Sequence, residues 1–235
     1  MRAIRITLII AVVLGALFVG ADRVAVYFAE DQAAEKIRSS QNLSGTPDVS
    51  IKGFPFLTQV ASSSLDEVEV KLDGVTAGAG DRSIQITGFK AKLQDVRINS
   101  SFTSAVADRA TGTAHISYAD LTKAANDPAV TVGYGGTNAA GKSQVKVTGK
   151  ISAMGQSIER SVNSTVTVVD GDTIRVRADE IPAEGFPGLE TMVRQKIDFD
   201  RKISGLPRGI KVDKVVTTQD GVDITLTGSH VNLAG

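Results

Sequence analysis

The chain contains no cysteine and no tryptophan, and aromatic residues make up only 5% of its 235 positions. Without cysteine there are no disulfides, thiolate metal sites, cysteine nucleophiles or lipid-bearing N-terminal cysteine. A chain of this length builds enough core to manage without disulfides, so export is permitted though not demanded. Few aromatics leave little platform for stacking bases. Charge of one sign is missing too: 26 Lys and Arg balance 26 Asp and Glu, which gives no general electrostatic hold on nucleic acid or an anionic surface. The two histidines, His115 and His230, lie more than a hundred positions apart with no local carboxylate spacing, so no metal site is expected. His115 falls out of phase with Ile116 and Tyr118 and is expected to face solvent, whereas His230 continues the apolar phase of Ile224 and Leu226. No G-x-S-x-G elbow occurs. The expectation is a protein without cofactor or catalytic centre.

What is present begins at the N-terminus. Arg2 and Arg5 precede an apolar run from Ile6 to Ala21, broken only by Thr7, Gly15 and Gly20 and closed by Asp22 and Arg23. Roughly 16 to 19 residues is the lower limit for spanning a bilayer and slightly long for a signal-peptide core. Val19-Gly20-Ala21 supplies a small-residue cleavage site, so residues 1–22 are read as a signal anchor or a cleaved signal. Either way the basic flank keeps the N-terminus in the cytoplasm and the rest is exported: single-pass on the cell membrane, or secreted after cleavage at Ala21. Val24, Phe28, Ala34 and Ile37 then suggest a separate amphipathic helix, which with its linker occupies residues 23–46 and ends around Asn42 to Pro47.

From Asp48 the period becomes two. Val68, Val70 and Leu72 alternate with charged residues, as in a strand with one wet face. Ile84 and Ile86 start another, whose inward parity moves to Phe89, Ala91 and Leu93 beyond Gly88, and again to Val96 and Ile98. This reads as one long, bulged, curved strand. Val145, Val147 and Ile151 share one parity. Val162, Val166 and Val168 turn at Asp170-Gly171 into Ile174, Val176 and Ala178, and Ile210 to Val216 turns near Asp220-Gly221 into Val222, Ile224 and Leu226. Helices are expected at Tyr118 to Ala125 and Leu189 to Phe199. Residues 47–235 thus read as a single α+β domain: long curved antiparallel strands curled around one or two helices. Strands that long with little helix to cover them must curl or leave a groove.

One match is refused. Gly136-Thr137-Asn138-Ala139-Ala140-Gly141-Lys142-Ser143 fits the phosphate-loop pattern, but Gln144 to Thr148 alternates as a strand, so no helix N-terminus follows to meet a phosphate. No nucleotide partner is expected. Carboxylates at Asp179, Glu180, Glu184, Asp198 and Asp200 are better read as solvated charges than as a glycosidase pair, though a hydrolase of dispersed carboxylates is the third-ranked reading. Asn42, Asn99 and Asn163 head glycosylation sequons, relevant only in a host that glycosylates exported chains. The segment Gly53-Phe54-Pro55-Phe56-Leu57-Thr58-Gln59, with its partial echo Gly185-Phe186-Pro187-Gly188-Leu189, cannot sit mid-sheet because proline lacks a donor. It forms either apolar plugs at sheet ends or the lips of an apolar groove, and both readings bury phenylalanine. The groove candidates are Phe54, Pro55, Phe56, Leu57, Phe89, Phe186 and Leu189.

The apolar N-terminus with its following helix, the block Val49-Ser50-Ile51-Lys52 running into Gly53 to Gln59, and the ending Leu206-Pro207-Arg208-Gly209-Ile210 before Val222-Asp223-Ile224-Thr225-Leu226-Thr227-Gly228 together resemble the LmeA-like phospholipid-binding family of actinobacterial cell-envelope proteins. The resemblance covers most of the chain. It implies a tubular lipid-binding-like fold with an apolar cavity, a phospholipid ligand and no catalysis. The rival expectation is an envelope adaptor whose core is filled by its own side chains.

Overall fold

Left-handed residues inside strands explain how the apolar parity jumps along this chain. In the computed structural model, which describes residues 2–40, 43, 45–77, 84–99, 104–125, 127–153, 156–181, 190–191, 194, 197–203 and 206–233, Asp95 has φ 54° inside β3 (Ile84–Ile98). Val96 beside it is buried, as the second parity shift requires. His230 has φ 51° near the end of β11 (Gly221–Asn232). Here the expectation is corrected: Val231, not His230, points inward, because that left-handed residue shifts the face by one and leaves the histidine exposed.

The class is α+β with antiparallel sheets, and the strands divide between two of them. The first has the order β1 (Asp48–Lys52), β2 (Ser64–Ala77), β3, β4 (Ala105–Ser117), β11, β10 (Ile210–Thr217). The second has β5 (Val130–Thr137), β6 (Ser143–Ala153), β7 (Gln156–Val169), β8 (Thr173–Ala178) and β9 (Phe199–Lys202) in sequential order. Both predicted hairpin turns are present: Val169 pairs with Thr173 around Asp170-Gly171, and Thr217 with Val222. Phe199, expected to close a helix, begins β9 instead, after described helical positions at 190, 191, 194 and 197. Its backbone pairs with Val176, and the ladder outweighs the helical spacing seen in sequence.

The chain divides into two compact units: Met1–Lys71 with Ala91–Ala110 and Ser229–Gly235, and Leu72–Lys90 with Thr111–Gly228. Unit 1 holds α1 (Arg2–Ser40) and α2 (Phe56–Ala61), around a core of Val26, Phe56, Leu65, Val96 and Ala107. The two N-terminal helices expected from sequence are one, since neither Asp22 nor Arg23 breaks a helix. Of the expected apolar face, Ala34 is buried and Ile37 partly covered, but Val24 and Phe28 are exposed, and Asp22 and Val26 pack in their place.

Unit 2 contains the whole second sheet, β10 and α3 (Tyr118–Ala124), which Ser117 caps by accepting the Asp120 N–H. Its core lies between two sheets. Ala114, Ile116, Val212, Val215, Val222 and Ile224 come from the first, and Val145, Val166 and Val176 from the second. A bulge between Val212 and Lys214 turns both Val212 and Val215 inward. Hydrogen bonds to backbone carbonyls tie the sheets at β10: the Val212 N–H donates to the Gly171 carbonyl at 2.7 Å, and the Thr217 hydroxyl donates to the Gly136 carbonyl at 3.1 Å. Gly135 lets β5 and β6 close up, because a Cβ there would stand 2.7 Å from the Val145 carbonyl carbon.

Candidate functional site

In the Gly53 to Gln59 block each residue has a distinct task. Gly53 adopts φ 97°, and a Cβ on it would lie 2.5 Å from Gln59 Nε2 and 2.6 Å from Asp66 Oδ2. That crowding exists because Gln59 is a buried clamp: its Oε1 accepts the Asp66 N–H at 2.8 Å and its Nε2 donates to the Lys52 carbonyl at 3.3 Å. The Phe54–Pro55 bond is cis. Pro55 sits at the N-cap of α2, where it has no side-chain acceptor to offer the first free N–H groups.

The acceptor comes from α1. Asp22, at the end of the apolar run and with 0% of its surface exposed, receives the Leu57 N–H on Oδ1 at 2.8 Å. Its Oδ2 takes Arg23 at 2.6 Å. A second carboxylate on the same helix, Glu30, accepts the Ile51 N–H at 2.7 Å. Two acidic residues of α1 thus position β1, the Phe-Pro-Phe turn and α2 against the helix. Sequence reasoning took Asp22 only as the stop of the apolar run. The available signal was that a proline N-cap needs an acceptor from elsewhere.

This geometry separates the two phenylalanines. Phe56 is 6% exposed and lies in the unit 1 core, with Pro55 and Leu57 partly covered beside it. Phe54 is 58% exposed, with the Arg23 guanidinium 5.2 Å from its ring centre. The expectation that both phenylalanines are buried is therefore corrected: Phe54 projects from the turn and Phe56 anchors it.

Of the remaining candidates, Phe89 lies in unit 2. It is partly covered and packs on the core with Ile86, Leu121, Val132, Val147, Val168, Ile174, Ile203, Leu206 and Leu226 in the same half-covered fringe. Phe186 and Leu189 lie outside the described residues. Tyr118 in this fringe donates its hydroxyl to the Thr218 carbonyl at 2.7 Å, and burial, with Tyr134 and Asp220 nearby, pushes the phenol up to about 12. It therefore remains a neutral donor.

The polar motifs are occupied by structural contacts. Residues 138–142 form a turn between β5 and β6, and Asn138 Oδ1 already accepts the Ala140 and Lys142 N–H groups at 3.0 and 2.9 Å. Asp200 pairs with Arg175 and Arg177, Asp198 accepts the Ala178 N–H at 2.7 Å, and Asp179 binds Thr165 and Gln144. His115 is half-buried rather than solvent-facing as expected, because Asp223 on the neighbouring strand β11 holds its Nδ1 at 2.6 Å.

Comparison with known proteins adds one finding. Residues 20–227 match the model of a family described as LmeA-like phospholipid-binding. No curated protein and no solved structure matches the chain.

Proposed function

The chain belongs to the LmeA-like phospholipid-binding family, and from that premise we propose that it is a non-catalytic phospholipid-binding protein of the bacterial cell envelope, held at a membrane by α1 with its folded part outside the cytoplasm. The helix is long and apolar enough to cross a membrane, and its most apolar window is entirely uncovered by the rest of the chain. The basic Arg2 and Arg5 favour a cytoplasmic N-terminus.

The observation that carries the lipid reading beyond family membership is the fringe of unit 2. Its larger apolar side chains are only partly covered, around a core of Ala, Val and Ile. A phospholipid acyl chain laid on that fringe gains about 0.8 kcal/mol for each methylene removed from water, so no polar constellation is needed to hold it. On this reading Phe89 and its neighbours in unit 2 receive acyl chain, while Phe54, Pro55, Phe56 and Leu57 belong to the turn of unit 1 held against α1. Native mass spectrometry of the full chain released from detergent tests the reading: a retained adduct of phospholipid mass is expected. Release of bare protein under conditions that keep known lipid ligands bound favours the adaptor with a filled core.

A further inference from the structure

We propose that the patch formed by Val24, Tyr27, Phe28, Arg23 and Phe54 docks on the headgroup layer of the membrane that α1 spans, so that unit 1 is seated on the bilayer and not carried away from it on a stalk. The inference rests on α1 being a retained anchor. It concerns a surface that takes no part in acyl-chain binding on the unit 2 fringe.

The 18-residue apolar window of α1 rises about 27 Å at 1.5 Å per residue. A hydrocarbon core is about 30 Å thick, with roughly 5–7 Å of headgroup region on each side. The span is slightly short, and a short span draws its flanking residues into the interface. The flank here is fixed. α1 runs unbroken to Ser40, and Asp22 and Glu30 bind it to the Phe-Pro-Phe turn and β1.

The chemistry of the exposed face fits that depth. Val24, Tyr27 and Phe28 are 57%, 66% and 60% exposed and share one side of the helix at three- and four-residue spacing. The side that packs on unit 1 at this level is the other one, along Asp22, Ala25, Val26 and Ala29. Cα atoms of Tyr27 and Phe28 stand about 8–9 Å beyond Asp22, but helical side chains lean toward the N-terminus, here back toward the bilayer. Their rings meet edge to face with centres 6.1 Å apart. Phe54 adds a third exposed ring from the turn that Asp22 holds, stacked with Arg23, whose aliphatic stem suits an apolar floor while its guanidinium meets phosphates. Exposed aromatic rings beside an arginine just past the end of an apolar span match the interfacial belt of membrane proteins.

The chain has no tryptophan, so single substitutions report depth without background. Full-length Leu14→Trp, Phe54→Trp, Tyr27→Trp and Ser39→Trp variants would be reconstituted in phosphatidylcholine vesicles containing 20% phosphatidylglycerol. Each would be quenched separately by lipids brominated high on the acyl chain and by aqueous iodide. Seating predicts that brominated lipid dims Phe54→Trp and Tyr27→Trp at least about twofold, while Ser39→Trp, about 25 Å along the helix from Asp22, responds to iodide alone. Leu14→Trp must be quenched by lipid if α1 spans the bilayer, and its failure would overturn the anchor and the seating together. Quenching at Leu14 with only iodide quenching at Phe54 and Tyr27 would overturn the seating alone. Protection of both from lipid and iodide would overturn it in favour of a second chain covering the patch.

Discussion

Unit 1 and unit 2 differ in what they seal: unit 1 closes over a phenylalanine and a leucine, unit 2 over Ala, Val and Ile, and each carries a margin of partly covered apolar residues. Unit 1 seals Phe56 and Leu65 into a small core beneath α1, and spends two buried or half-buried carboxylates, Asp22 and Glu30, on holding the surrounding backbone in place. Unit 2 fills the space between its sheets with nine Ala, Val and Ile residues and leaves Phe89, Leu121, Leu206 and Leu226 at a half-covered margin. Packing a core with its largest side chains secures rigidity. Leaving them at the margin keeps apolar surface available, at a cost in stability that only a ligand or a partner recovers. On the proposed reading, unit 1 anchors and unit 2 holds lipid.

The largest expected effect tests the sealed side. Phe56→Ala should destabilise the full chain by about 3–5 kcal/mol in denaturant unfolding, the usual range for emptying a well-packed phenylalanine site. A loss below about 1 kcal/mol would mean unit 1 is no better packed than unit 2. The open side should behave differently. Phe89→Ala should cost only about 1–2 kcal/mol, because its ring is already partly exposed, yet should lower phospholipid retention severalfold. An unfolding loss as large as that of Phe56→Ala, with lipid retention unchanged, would erase the distinction between the units.

The smallest effect concerns pH and belongs to unit 2. Its edge strand β9 is held by Asp200 with Arg175 and Arg177, and Lys202 of the same strand pairs with Asp172. The Arg175 hydrogen bond holds Asp200 below its ordinary value of 3.8, and the Thr173 and Lys202 bonds do the same for Asp172. Folded values below the unfolded one mean stabilisation that is complete well above 3.8 and fades as pH falls through the lowered folded values. Amide exchange in residues 199–202, corrected for intrinsic rate, should therefore accelerate below about pH 4 and stay flat from 5 to 7. The unit 1 amide of Ser62, which donates to the Thr58 carbonyl, serves as the internal comparison.

Much of unit 2 was legible because local chemistry specifies it. Asp170-Gly171 and Asp220-Gly221 mark turns, β-branched alternation marks β7, β8, β10 and β11, and the helix expected at Tyr118 to Ala125 is α3. β4 was not recognised, since its buried positions Ala107, Ala110 and Ala114 are too small to stand out as an apolar stripe. β5 was hidden by its glycines, one of which is there for close approach to β6. In unit 1 the Gly-Phe-Pro-Phe block stood out, but the separate fates of Phe54 and Phe56 did not. They depend on Asp22, which lies 35 positions away and acts through a backbone N–H that no spacing rule reveals. The amphipathic face of α1 was legible at Ala34 and Ile37 but not at Val24 and Phe28, for a related reason. The helix has two apolar sides, and only tertiary packing decides that Val26 and Ala34 turn inward while Val24 and Phe28 remain outside.

The central claim, that the open fringe of unit 2 holds lipid, is tested most directly by a crosslink map. The full chain would be reconstituted with phosphatidylcholine carrying a photoactivatable group midway along one acyl chain, irradiated and digested. The account predicts adducts on unit 2 peptides containing Phe89, Leu121 or Leu226, in addition to those on the membrane span, and their loss in Phe89→Ala. Adducts confined to residues 2–21 would contradict it.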